Sequence, residues 1–203
     1  MRAAPPTGNG RFLPHYTQES WLPAALADGV LGYAIGNEGQ FRSGSILHNG
    51  TIMVDDTIRQ VSVLEHLGPF HAPVAEAALA AAPGLAARFG IPAFTASRVE
   101  IELAAHGDGA HFQQHIDTFV VVNQRPNPRV LTLVLYLNRQ PRPFTGGALR
   151  FHALGGTATQ DIAPDHNRLA AFPSIAPHSV QRLTCSSRAF ADRRFAVNMW
   201  IHR

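Results

Sequence analysis

The sequence contains no lysine: its positive side is arginine alone, 17 residues against 14 acidic ones. The arginines are scattered and the formal charge is only +3. Without a run of about five or six like charges, a pI near 9.7 argues little for a nucleic-acid partner. Cysteine is nearly absent as well. With Cys185 alone no internal disulfide can form, which fits a reducing compartment. Long apolar runs are missing too, and none approaches the roughly 20 residues that cross a bilayer. Met1 to Pro14 is polar and rich in Pro and Gly, with no apolar stretch that could serve as a signal peptide. The expectation is a soluble, cytoplasmic protein with no membrane partner. At 45% hydrophobic and 15% charged residues the chain is globular in composition, and 203 residues suit one domain spanning 1–203.

Periodicity divides the chain near Pro92. Before it, Trp21, Leu22, Ala25, Leu26, Val30, Leu31 and Ala34 recur at helical spacing and predict a helix over about Gln18 to Glu38. Phe41 to Ile52 and Ile58 to Leu67 look like strands, with Asn49-Gly50 as a turn signal between them. An alanine-rich helix is predicted from about Ala72 to Phe89, stopped by Gly90 and Pro92. After Pro92 come short β-like segments: Val99–Ala104, Ala110–Asp117, Phe119–Asn123, Val130–Leu137, Ala148–His152, Leu169–Phe172, Ser179–Leu183 and Phe195–Ile201. Turn clusters such as Asn123 to Pro128 and Thr145-Gly146-Gly147 separate them. Many short strands at close spacing indicate a sandwich or barrel, not alternating βαβ units. The fold class is therefore mainly β with flanking α. Residues of about 1–92 provide helical support and first strands, and about 93–203 a β catalytic core.

Eleven histidines make any single one uninformative, but His115-Ile116-Asp117 is a pattern. On a strand the two side chains project to the same side, so an imidazole and a carboxylate can share one metal ion. A histidine from a distant strand would complete a facial triad with open positions, the arrangement that non-haem iron(II) oxygenases require. His178, in Pro177-His178-Ser179-Val180, is the candidate. Arg194 then stands at the start of a strand, where a bidentate guanidinium suits the distal carboxylate of a small dicarboxylic keto acid. Arg188 competes for that role.

From about Glu102 to Trp200 the chain resembles the prolyl 4-hydroxylase branch of the 2-oxoglutarate/iron(II) oxygenase superfamily. The resemblance is carried by Gly107-Asp108-Gly109-Ala110-His111-Phe112-Gln113-Gln114-His115-Ile116-Asp117 and by Leu131 to Asn138. Gly146-Gly147-Ala148-Leu149-Arg150-Phe151, Pro177 to Val180 and Arg194 to Trp200 follow in order. It implies a double-stranded β-helix (jelly-roll) core, with His115, Asp117 and His178 as Fe(II) ligands. Arg194 and the Tyr136 hydroxyl would hold the 2-oxoglutarate carboxylate. Thr132 and Asn198 would lie near the co-substrate, and Trp200 would close the pocket wall. The implied reaction is hydroxylation of an unactivated C–H bond, coupled to conversion of 2-oxoglutarate and O2 to succinate and CO2. The implied substrate is of amino-acid type: a prolyl residue, a free amino acid or a small natural product. Halogenating relatives lack the carboxylate that Asp117 supplies. Two departures stand out: Ala105 occupies a place where relatives often carry a pocket tyrosine, and Leu183 to Arg193 looks like an insertion.

Three other readings remain in view. His111 and His115 have the i, i+4 spacing of a helical zinc hydrolase site, but Phe112 stands where its general-base glutamate belongs. A nucleic-acid demethylase of the same superfamily would carry a second arginine where Trp200 stands. A catalytically silent jelly-roll binding protein would have no need of all three ligands and an anchoring arginine. Among the remaining histidines His111 is expected to share a face with His115 and line the active-site mouth, whereas His106, His152 and His166 are expected to have structural or surface roles.

Overall fold

The computed structural model describes residues 10–48, 51–118 and 128–203. The expected strand Phe119–Asn123, the Asn49-Gly50 turn and most of the Asn123–Pro128 cluster lie outside the described residues.

Two antiparallel sheets face one another as a jelly roll. The larger has seven strands in the order Tyr16–Gln18, Arg168–Pro173, Arg129–Leu137, Arg194–His202, Arg98–His106, Ser62–Leu64 and Arg42–Ser43. The smaller has five: Thr159–Ile162, Leu149–His152, His178–Val180, His111–His115 and Arg59–Gln60. Period-two alternation gives the large sheet two different faces. Leu131, Leu133, Leu135 and Leu137 point outward from one central strand, and Phe195, Val197, Met199 and Ile201 from its neighbour. They meet Val30, Leu31 and Ala34 of helix α1 (Ala24–Gly36) and Val74, Ala78, Ala82 and Leu85 of helix α2 (His71–Arg88). The alternate residues Val134, Tyr136 and Ala196 point inward and pack with Leu149 and Phe151 of the small sheet. The jelly-roll interior therefore holds the polar positions Thr132, Tyr136, Arg194 and Asn198, while the helices seal the apolar back.

α2 ends as its sequence predicts. Gly90 has φ +68°; the Ile91 N–H donates to Ala86 O and the Gly90 N–H to Ala87 O. This is a Schellman cap, in which glycine takes the left-handed position without a Cβ penalty.

α1 is shorter than expected. It starts only at Ala24, after Pro23, which has no N–H to contribute and caps the helix start. Tyr16–Gln18 is instead an edge strand on Arg168–Pro173, and Trp21 N–H is taken by Asn167 O at 3.0 Å. The Phe41–Ile52 segment is likewise broken. Arg42–Ser43 pairs with Ser62–Leu64, while Ile46–His48 pairs with Thr51–Met53 in a separate ribbon.

Leu135 is fully buried between sheet and helices. Leu135→Ala is expected to cost about 2–5 kcal/mol in denaturant unfolding, from lost transfer energy and the cavity left behind. Leu79→Ala, on the exposed side of α2, should stay within about 0.5 kcal/mol.

Candidate active site

His178 begins its strand and is the register partner of His115 on the adjacent strand. Backbone pairing alone therefore brings the two imidazoles together, with ring centroids 4.2 Å apart. Asp117 arrives by another route. The strand stops at His115, so alternation along an extended chain does not place the carboxylate. Its own N–H donates to Ser174 O at 2.8 Å, and the Thr132 hydroxyl donates to Oδ2 at 2.8 Å. The result is His115 Nε2 3.7 Å from Asp117 Oδ1 and His178 Nε2 3.5 Å from Oδ2. Among the described residues this is the one group of three whose ligand atoms all lie within 4.8 Å of one another.

The hydrogen bonds of the two rings fix which nitrogen is offered. His115 Nδ1 lies 2.8 Å from Gln113 O, and His178 Nδ1 lies 2.8 Å from Ala176 O. A carbonyl only accepts, so each Nδ1 carries the proton and each Nε2 presents its lone pair inward. Burial, reinforced by the neighbouring His178, pushes His115 down to about 3, so its ring is neutral. Burial alone would raise the Asp117 carboxyl, but the two imidazoles and the Thr132 bond outweigh it and hold the group below its ordinary range. Two imidazole nitrogens and one carboxylate form a donor set suited to Fe(II).

The second cluster lies further along the same interior. Arg194 is 2% exposed, and among the described residues no carboxylate pairs with it. Its Nη1 donates to Gly147 O, its Nη2 lies 3.1 Å from the ring nitrogens of His106, and its Nε has no partner. Burial lowers it to about 10, which still leaves a cation at neutral pH. The Tyr136 ring centroid lies 5.3 Å from the guanidinium carbon, and its buried hydroxyl has no partner either. Burial pushes that phenol up to about 12, so it is a donor. A buried cation and a buried hydroxyl, both with unmet hydrogen bonds, are costly unless an anionic ligand meets them. Gly147 makes the approach possible: at φ +67°, an added Cβ would sit 2.9 Å from Leu183 Cδ1 and 3.2 Å from Arg194 Cδ.

The other expected co-substrate residues hold neighbours in place. Thr132 bonds Asp117, Asn198 Nδ2 donates to Glu102 at 3.1 Å, and the Trp200 ring lies 3.9 Å beneath the Arg129 guanidinium. The Trp200 N–H sits beside Asp117 without reaching hydrogen-bond geometry. Arg188 is exposed on the Leu183–Arg193 segment, whereas Arg194 is buried in the interior.

Three expectations are corrected. Ala105 packs in the helix-facing cluster, so the absent tyrosine would not point at the co-substrate; Ala104 and His106 share the inner face with Arg194. Residues 111–115 form a strand, and His111 is held by Gly109 O and Thr57 O at 3.1 Å each, which removes the helical zinc pair. A register shift between the His115 and Phe112 pairings breaks the alternation, so Phe112, not His111, stacks on His115 at 3.6 Å.

Sequence reasoning missed His106 and Ser174. His106 is fully buried, and burial together with the Arg194 charge drives it well below its ordinary range. It is therefore neutral and can accept from the guanidinium. Its pairing opposite Arg194 was the only signal, and that requires knowing the strand register.

Comparisons with known proteins agree with this geometry. A sequence profile of the 2OG-Fe(II) oxygenase superfamily matches residues 101–202, about half of the chain. An uncharacterised PKHD-type hydroxylase of Synechocystis sp. is 33% identical over 129 residues, or 60% of this chain and 42% of that protein. The chain thus spans about two fifths of that relative's length. A Pseudomonas putida prolyl-4-hydroxylase superposes with a TM-score of 0.66 at 25% identity, covering 93% of this chain and 92% of the other. A Trichoplax adhaerens prolyl hydroxylase, solved with a hypoxia inducible factor peptide, gives 0.67 at 20% identity over 93% and 83% of the two chains. Viral collagen prolyl hydroxylase from Paramecium bursaria Chlorella virus-1 gives 0.62 at 13% identity over 93% and 95%. Members of this family work with Fe(II), 2-oxoglutarate and O2, and the His-Asp-His group suits that metal. The chain belongs to the 2OG-Fe(II) oxygenase superfamily, in its prolyl 4-hydroxylase-like branch.

Proposed function

We propose that this chain is a 2-oxoglutarate-dependent hydroxylase acting on an amino-acid-type substrate: a prolyl residue, a free amino acid or a small natural product. His115, Asp117 and His178 hold Fe(II), and Arg194 with Tyr136 holds the distal carboxylate of 2-oxoglutarate. The observation that carries this reading is the buried Arg194 cation with no carboxylate beside it among the described residues, its Nε and the Tyr136 hydroxyl both without a partner, in the same interior as the three ligands. Bound iron, with 2-oxoglutarate and O2, supplies the oxidation that inserts one oxygen atom into a C–H bond and leaves succinate and CO2. The chain's part is to fix position and exclude water. His106 and Gly147 O orient Arg194, and Tyr136 donates beside it. Val134, Phe151, Phe172 and Ala196 make the surrounding wall apolar.

The Trichoplax relative's peptide favours peptides as the first substrates to try. The test supplies Fe(II), 2-oxoglutarate and air, then screens proline-containing peptides and free amino acids for stimulated succinate formation. One substrate class should raise succinate above the background and gain one oxygen atom in its mass. Iron binding without any succinate, stimulated or basal, would leave the silent binding protein as the better reading.

A further inference from the structure

Ser174 lies in the turn before His178 and contacts two parts of the metal site. Its carbonyl accepts the Asp117 N–H at 2.8 Å, and its hydroxyl lies 2.9 Å from Thr132 Oγ1. The residue is 1% exposed and its own N–H is spent on Val130 O at 3.0 Å. The direction of the hydroxyl chain follows from counting hydrogens. An ionised carboxylate only accepts, so the single Thr132 hydrogen points at Asp117 Oδ2. Thr132 then has only lone pairs left for Ser174, and the Ser174 hydrogen must point at Thr132. Donors chained this way polarise one another, which strengthens the terminal bond.

We propose that Ser174 is a positioning residue for the metal site: its hydroxyl donates to Thr132 and so aims the Thr132 proton at Asp117, holding the carboxylate in its ligating orientation. The need for such a device is visible in the backbone, because Asp117 lies beyond the end of its strand and no ladder bond fixes it. The same turn also supplies Ala176 O to His178 Nδ1, so one short segment orients two of the three ligands. This inference rests on the metal reading above.

The test is a double-mutant cycle read by Mn(II) binding to the full chain, followed by electron paramagnetic resonance of the free ion. Activity is not needed. Partners behind metal ligands typically account for about 10- to 100-fold in affinity, and Thr132→Val should fall in that range. Ser174→Ala should weaken binding by about three- to tenfold, as the more distant member of the chain. In the Thr132→Val background, Ser174→Ala should have almost no further effect, because its route to Asp117 is gone. Ser174→Cys, a weak donor of similar size, should lie between wild type and Ser174→Ala. A loss that persists undiminished in the Thr132→Val background, or no loss at all, overturns the proposal. If Ser174→Ala does not fold, the Ser174→Cys half of the cycle decides alone. A wild-type chain that binds no Mn(II) removes the metal reading itself and this inference with it, an outcome distinct from the others.

Discussion

Asp117→Asn and His178→Ala should each reduce divalent-metal affinity by at least about 100-fold, more than the loss typical of the groups that merely support a ligand. Asp117→Asn is the cleaner of the two. It keeps the shape and can still accept from Thr132, but it removes the charge that the two imidazoles face. His178→Ala also opens a cavity against Phe172, whose ring centroid lies 4.7 Å away, so part of its effect will appear as lower stability. Comparing metal titrations with the unfolding of the metal-free proteins separates the two contributions. His111→Ala is the control. Its ring is occupied by Gly109 O and Thr57 O, and metal affinity should be nearly unchanged. The opposite pattern, with His111→Ala losing the metal and His178→Ala keeping it, would move the site to the i, i+4 pair.

Arg194→Met should weaken 2-oxoglutarate binding by about 30-fold or more. Removing one partner of a buried, hydrogen-bonded charge pair typically costs about 2–5 kcal/mol, and each 1.4 kcal/mol or so is a factor of about ten. Titrating 2-oxoglutarate into the metal-loaded variants measures this, and metal affinity itself should change little. Arg188→Ala, on the exposed segment, should leave the co-substrate constant where it is; a large loss there and none at Arg194 would put the anchor on the wrong arginine. The free enzyme should behave differently. It carries a desolvated cation without a carboxylate, and an apolar side chain of similar length removes that burden. Arg194→Met should therefore unfold no earlier than wild type, and later if the cavity repacks. Tighter folding together with weaker binding is the mark of a residue retained for its ligand.

Much of this was visible along the chain, and the reasons for the gaps are physical. The Arg129–Leu137 strand alternates Leu131, Leu133, Leu135 and Leu137 with Thr132, Val134 and Tyr136, so both its faces are written in the sequence. His115 and His178 were likewise found by residue type and order. Ala105 was assigned to the wrong face because one step along a strand exchanges inside for outside, and only the pairing with Phe195 and Ser62 settles it. The Tyr16–Gln18 strand was missed because three residues are too few to show alternation, and the expected helix was started at Gln18, too early, on the helical spacing of Trp21 and Leu22. Ser174 and His106 carry no local signal at all. What they do depends on groups far away in sequence, 42 positions for Thr132 and 88 for Arg194.

The pairing of His178 directly opposite His115 has a consequence for motion. The strands of the small sheet are short: two residues at the Arg59–Gln60 edge and three in His178–Val180. Few ladder bonds hold them, so they can open locally at lower cost than the nine-residue strands behind them. On the proposed assignment, an ion held by His115 and His178 would cross-link neighbouring strands where the ladder is thinnest, and an opening that separates them would have to release it. With metal bound, amide hydrogens of 111–115 and 178–180 should lose their local opening route and exchange more slowly; those of 129–137, which exchange by global unfolding, should slow as well, because an ion held only by the folded chain raises the free energy of unfolding.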